Sequence, residues 1–291
     1  MDYLVLRLIS SFLVGVLLSQ AGSLIQLGTR NILASPSTLG FDGLSVLWLL
    51  IFHSVTLYFN LSFSVEWTFF LGIPLFFILG IYFPNFFRGR SKFERIILLG
   101  LTFNLFVGAV FSLWQFLFMA FNLPFPVELW FGHFRFASLN SMGILIGVEI
   151  LTLLGLWRYF KELKLFSLGP MMGLNWGLDE KKLFRFIFVV VALTTLVVIN
   201  LFGAFSFLGL IFPILARKIW FSHRDLEGEL YWGATLNGLC LMAVDFLCYL
   251  NPIYGAEVPV GLLVTGIGAV SLIFILWYGN KDSEFVAKPK K

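Results

Sequence analysis

Long apolar runs alternate with short polar breaks along the whole chain. The runs fall at about residues 4–27, 37–59, 66–87, 95–119, 137–159, 183–202, 204–220, 229–250 and 257–279. Most hold about 20 residues, and a helix of that length, at 1.5 Å rise per residue, spans a hydrocarbon layer of ~30 Å. Backbone N–H and C=O groups in lipid must pair within their own segment, which predicts helices. The period-two alternation of a membrane β-barrel is absent. The expected fold class is therefore an all-α polytopic membrane protein with about nine transmembrane helices. The 204–220 run is short and follows its neighbour almost directly; Gly203, Ala204, Phe205 and Ser206 predict a tight turn there. No linker divides the chain, so residues 1–280 read as one transmembrane domain and 281–291 as a basic tail.

Composition supports lipid as the solvent: 59% of residues are hydrophobic and 12% charged, against about a quarter charged in soluble domains. The first run lacks the basic start and small-residue cleavage site of a signal peptide and reads as a retained helix. With nine spans, eighteen of the twenty Lys and Arg residues fall on one side, leaving only Arg7 and Arg135 on the other. The positive-inside rule makes the basic side cytoplasmic. The expectation is a bacterial inner-membrane protein with its N-terminus outside and its C-terminus cytoplasmic. The basic residues do not interleave with exposed aromatics as a nucleic-acid surface would, so no nucleic-acid partner is expected.

Two polar stretches stand out. Residues 161–182, on the basic side, are long for a helix connection, and carry Gly169, Gly173 and Gly177 at spacings of four. Residues 121–140, on the other side, combine prolines and aromatics and read as an interfacial segment. Polar groups inside spans are functional candidates by default; Glu149 lies mid-helix and Asp245 nearer the outside, with uncharged Gln26, Asn104 and Gln115. Glu149 is as consistent with a structural hydrogen bond as with a transport role. Cys240 and Cys248 lie eight apart, roughly 12 Å on a helix, beyond the ~7 Å Cα limit for a disulfide; both read as buried apolar thiols. His53 and His133 are isolated and read as interfacial polar groups, so no metal site or cofactor is expected. No G-x-x-x-x-G-K-[ST] phosphate loop occurs, and no catalytic residue is assigned; any ATP-driven step needs a separate ATPase chain.

Four stretches lie in order along the chain: VGVLLSQAGSLIQLGTRNILASPSTLG at 14–40, FSLGPMMGLNWG at 166–177, GAFSFLGLIFPILARKIWFSHR at 203–224 and AEVPVGLLVTGIGA at 256–269. Together they resemble the FecCD-type permeases, ABC importer subunits for siderophore-bound iron, haem or cobalamin. The resemblance covers residues 4–277. It implies a type II ABC importer permease fold of ten helices per protomer, with two protomers, identical or different, around a pathway. It also implies two cytoplasmic ABC ATPase subunits and an extracytoplasmic substrate-binding protein as partners. This chain opens where the family's second helix opens, so the first helix is expected to be missing; a start site placed too late gives the same pattern.

The family's external Arg-x-x-Arg grips carboxylates of the binding protein; Arg7 matches its second arginine, while Leu4 stands at the first. A further family arginine, four residues after the aspartate matched by Asp245, is Tyr249 here. Asn31, Ile32, Leu33 and Ala34 resemble the family's Asn-Pro-Leu-Ala turn at the cytoplasmic gate, faced by a second gate loop near Lys92, Phe93 and Glu94. Leu168 and Gly169 resemble the start of the family's coupling helices, which seat on the ATPase. The candidate coupling loop then includes Met171, Met172, Gly173, Trp176 and Gly177, although the family's Glu and Ala-Arg are absent from it. Ile214 stands where a histidine usually follows the proline matched by Pro213.

The functional expectation is a permease subunit of an ATP-driven importer for an iron-siderophore, haem or related metal chelate, not an enzyme. A secondary transporter would need coupling-ion sites at broken helices near the midplane. An intramembrane enzyme would need convergent catalytic side chains on one face, and the three histidines are scattered.

Overall fold

The computed structural model describes residues 3–59, 65–83, 90–121, 130–168, 177–219, 226–252 and 257–279. Among these, every regular element is a helix: α1 (Tyr3–Thr29), α2 (Phe41–Tyr58), α3 (Val65–Tyr82), α4 (Arg90–Ala120), α5 (Leu139–Ser167), α6 (Glu180–Phe202), α7 (Leu208–Ile219), α8 (Ala234–Leu250) and α9 (Val260–Gly279). A π-helical turn, Gly228–Gly233, leads into α8. Among the described residues, six helical stretches are long and apolar enough to cross a membrane, and α3, α7 and α9 supply shorter apolar stretches. Each apolar run of the sequence thus holds a helix.

The boundaries follow local chemistry. The Ser138 side chain accepts from the Ser141 N–H at 3.1 Å and Ser141 Oγ accepts from the Ser138 N–H at 2.9 Å, a reciprocal cap on α5. Asp179 caps α6 by accepting from the Lys182 N–H at 3.1 Å. The starts of α2 and α7 each fall about four residues later than the apolar pattern predicts. Residues 37–40 form no helix, because Thr38 Oγ1 accepts from the Ser35 N–H and Ser35 Oγ from the Thr38 N–H, and Gly40 turns at φ 86°. Residues 204–207 are likewise irregular, between Gly203 at φ 84° and Phe207 at φ 69°. In the other direction, α5 extends through Ser167 and α6 begins at Glu180, so helix occupies both ends of the 161–182 stretch. Buried Leu163 and Phe166 hold the last turns of α5 in the core.

Helix α1 is the axis of the bundle, packing on α5, α6, α7 and α8, while α3 lies along α6 and α2 bridges α6 and α4. The apolar windows of α1 and α6 are each 67% buried inside the protein, against 17% for α4. The first two are therefore central, and α4 presents Leu99, Leu105 and Phe116 outward, as lipid contact requires. Lipid tails are as apolar as leucine, so central helices associate through close packing and polar contacts. At Gly15 an added Cβ would lie 2.8 Å from the Cα of Gly238 on α8. At Gly22 it would overlap the backbone carbonyl of Gly209 on α7.

At the Tyr3 end of α1 three segments are laced by backbone hydrogen bonds. Gly132 N–H donates to Ala204 O at 2.9 Å, His133 N–H to Phe202 O at 2.9 Å, and Gly261 N–H to Gly132 O at 2.8 Å. Phe134, fully buried, stacks on Phe205 and tilts against Phe202 beneath this lacing.

Candidate functional site: polar stations along the central helix

Among the described residues, three clusters that include charged side chains lie along helix α1. The first, near Tyr3, is a charge cluster. Arg7 grips Asp245 of α8 side-on, Nε to Oδ2 at 3.0 Å and Nη2 to Oδ1 at 2.8 Å, while Nη1 donates to Glu257 at 2.5 Å. The Tyr249 ring lies 5.1 Å from the guanidinium carbon, a cation–π geometry. Arg7 is 1% exposed and Asp245 fully buried; the Glu257 side chain keeps 30% exposure. The resemblance gives Arg7 an outward docking role, whereas the geometry turns its guanidinium inward onto two carboxylates. Tyr249, at the position of another family arginine, is the aromatic wall of the same cluster.

The second station is central. Gln20 Nε2 donates to Glu149 Oε1 of α5 at 3.0 Å, and both side chains are buried. Gln20 Oε1 and Glu149 Oε2 have no hydrogen-bond partner among the described residues. Glu149 is thus tied to the axial helix through one oxygen. The third station lies toward Arg30. Gln26 donates to Leu210 O at 3.0 Å and accepts from Arg217, whose other nitrogen contacts Glu229 at 3.0 Å. This joins α1, α7 and the π-helical turn.

The Asn31 turn follows directly. Asn31 Oδ1 accepts from the Leu33 N–H at 2.9 Å and its carbonyl accepts from the Ala34 N–H at 3.1 Å, so the side chain builds the turn it begins. Ala34 and Ser35 are buried. The segment then packs back into the bundle: a Cβ added at Gly209 would lie 3.2 Å from Pro36 Cδ and 3.0 Å from Leu18 O of α1. Lys92, Phe93 and Glu94 occupy the first turns of α4 and not a loop; their side chains lie outside the described residues.

At the α5–α6 connection, Leu168 closes α5, donating to Leu165 O at 3.2 Å, and Gly177 takes φ 68°, a glycine conformation. Gly169, Met171, Met172, Gly173 and Trp176 lie outside the described residues. Cys248 is buried, but Cys240 is exposed toward a cleft between α7 and α9, because helix α8 presents only one face to α1. Among the described residues no three His, Cys, Asp or Glu side chains converge on a common point.

Several of these groups carry no sequence signal strong enough to single them out. Gln20, Glu257, Arg217 and Glu229 become visible only once the helices are packed. What they share is membership of a hydrogen-bond network that includes an α1 side chain, and the spacing of Ser19, Ser23 and Gln26 on α1 is the available hint of a polar stripe.

Comparison with known proteins adds an independent line. The petrobactin import system permease protein FatD of Bacillus anthracis is 28% identical over 276 residues, covering 93% of this chain and 78% of that protein. The ferric enterobactin transport system permease protein FepG of Escherichia coli is 24% identical over 279 residues, covering 93% and 79%. A solved structure of a protein described as a metal-chelate type ABC transporter, in an inward-facing conformation, superposes with a TM-score of 0.74 at 22% identity. It covers 94% of this chain and 85% of that one, so the two share a fold. The model of the FecCD transport family matches residues 1–278, and the chain belongs to that family.

Proposed function

We propose that this chain is the membrane-spanning permease subunit of an ATP-driven importer whose cargo is an iron-siderophore complex or a related metal chelate. The observation that carries this reading is the family match across residues 1–278, joined by relatives whose names specify petrobactin and ferric enterobactin import. The chain is a transport component and not an enzyme. Permeases of ABC importers work as dimers with ATPase subunits and substrate-binding proteins; here the partners are two cytoplasmic ATPase subunits, a second permease protomer and an extracytoplasmic binding protein. The pathway lies between protomers and the lipid-facing surface carries helices such as α4.

The N-terminus lies outside and the C-terminus in the cytoplasm, as the eighteen-to-two division of Lys and Arg supports. In a cysteine-free background, an impermeant thiol reagent applied outside should label a cysteine at position 2 but not one at 285. Labelling of both from one side removes the nine-crossing topology.

Residues 168–177 form the contact with the ATPase, and the turn at 31–34 with the start of α4 forms the cytoplasmic gate. Gly173→Leu should insert normally yet recover less ATPase on purification and lose transport, because a bulky side chain would obstruct the contact. Wild-type transport and ATPase recovery in both Gly173→Leu and Trp176→Ala would place the coupling contact elsewhere.

A further inference from the structure

The 31–34 turn and the α5–α6 connection lie in different stretches of the sequence. The structure joins them through one side chain. Arg30 follows the last residue of α1 at φ 51°, a conformation that residues other than glycine, asparagine and aspartate seldom adopt. That conformation directs the exposed side chain across to α5, where its guanidinium carbon lies 4.5 Å from the centre of the Phe166 ring. Phe166 is 3% exposed and meets Phe184 of α6 edge-on at 5.6 Å. Leu168, where the α5–α6 connection begins, is two residues further on. The ring beneath Arg30 is therefore fixed to both helices that flank the connection.

The other end of the same segment is fixed to a different helix. Asn104 of α4 donates from Nδ2 to Ser37 O and accepts on Oδ1 from the Gly43 N–H at 3.0 Å. One amide thus clamps both sides of the turn into α2. Between the two anchors the segment is internally bonded: Ala34 N–H to Asn31 O at 3.1 Å, Leu39 N–H to Ser35 O at 3.2 Å and Phe41 N–H to Pro36 O at 3.0 Å. A segment bonded this way moves as a unit more readily than it deforms.

We propose that residues 30–43 form a lever in which Arg30, seated on Phe166, carries movement of the last turn of α5 to the 31–34 turn and, through Asn104, to α4. Arg30 is a positioning residue: it touches no cargo and no nucleotide. The proposal rests on the assignment of 168–177 as the ATPase contact and names the element that transmits what happens there.

The test is a double-mutant cycle in proteoliposomes holding the full transporter. It measures cargo imported per ATP hydrolysed alongside ATPase recovery. Arg30→Asn removes the cation while keeping a residue that tolerates the left-handed backbone, and Phe166→Leu removes the ring. A cation–π contact of this kind corresponds to an effect of about two- to five-fold. Each single variant should lose about that much coupling with normal ATPase recovery. The double variant should lose no more than the worse single one, because the shared contact is already gone, and Arg30→Lys should restore part of the loss. Additive losses, unchanged coupling in Arg30→Asn, or reduced ATPase recovery in Arg30→Asn would each overturn the lever, the last by making Arg30 a direct ATPase contact. Gly173→Leu, run in parallel, separates the two readings. If it transports normally, the assignment of 168–177 falls and the lever with it. If it fails while Arg30→Asn is normal, only the lever falls.

Discussion

Replacing Arg7 by alanine is expected to lower the stability of the folded chain by about 3–5 kcal/mol, the range seen when one partner of a buried ion pair is removed. The reason is the carboxylate left behind. Asp245 is fully buried, and its two oxygens take their side-chain donors from Arg7. Without the guanidinium Asp245 is left as a buried carboxylate beside Glu257 with its ion-pair partner gone. Arg7→Ala should therefore accumulate poorly in the membrane and unfold at lower temperature in detergent. Asp245→Asn on the Arg7→Ala background should recover much of the loss, because the uncompensated charge has gone. If Arg7→Ala unfolds at the wild-type temperature, the cluster is not holding α1 to α8. The double variant also separates stability from docking. Normal stability with weakened binding-protein affinity would give Arg7 the outward role that the family motif implies.

The second large effect is expected at Gly22. A side chain there would enter the backbone of Gly209, which is itself packed against Leu18 and Pro36. Neither neighbour is a flexible side-chain tip that can swing aside. Helices α1 and α7 must separate, carrying with them the hydrogen bond from Gln26 to Leu210 O. Overpacking in a core costs about 1–3 kcal/mol and sometimes more, and Gly22→Leu should lie at or beyond the upper end. Gly143→Ala is the matched control, since an added methyl there meets nothing within 4 Å. In a helix interior alanine is favoured over glycine by about 1 kcal/mol, so that variant should be neutral or slightly stabilising. Equal melting temperatures for the two variants would contradict the close α1–α7 packing.

The positions of the helices were legible in the sequence because length and apolarity are local properties. Their ends were less so. The late start of α2 depends on the cross-bonded Ser35 and Thr38 and on Gly40 at φ 86°, none of which changes the hydropathy of 37–40. The extension of α5 through Lys164 to Ser167 was hidden by its charged residues, since burial of Leu163 and Phe166 outweighs them. The site divided along the same line. Asp245 and Glu149 stood out as isolated charges in apolar runs, yet their partners could not be read, because Arg7 and Gln20 are 238 and 129 residues away in the chain. The Asn31 turn was visible through its motif; its tie to Phe166 was not, because a positive φ at Arg30 leaves no trace in residue type.

The most direct test of the central claim is cargo uptake into proteoliposomes. Membranes containing the chain with its ATPase subunits, second protomer and binding protein should accumulate radiolabelled ferric siderophore only when ATP and the binding protein are both supplied. The purified chain alone should hydrolyse no ATP, as expected without a phosphate-binding loop. Uptake by the chain without any ATPase subunit, driven by an ion gradient, would contradict the account and make the protein a secondary transporter.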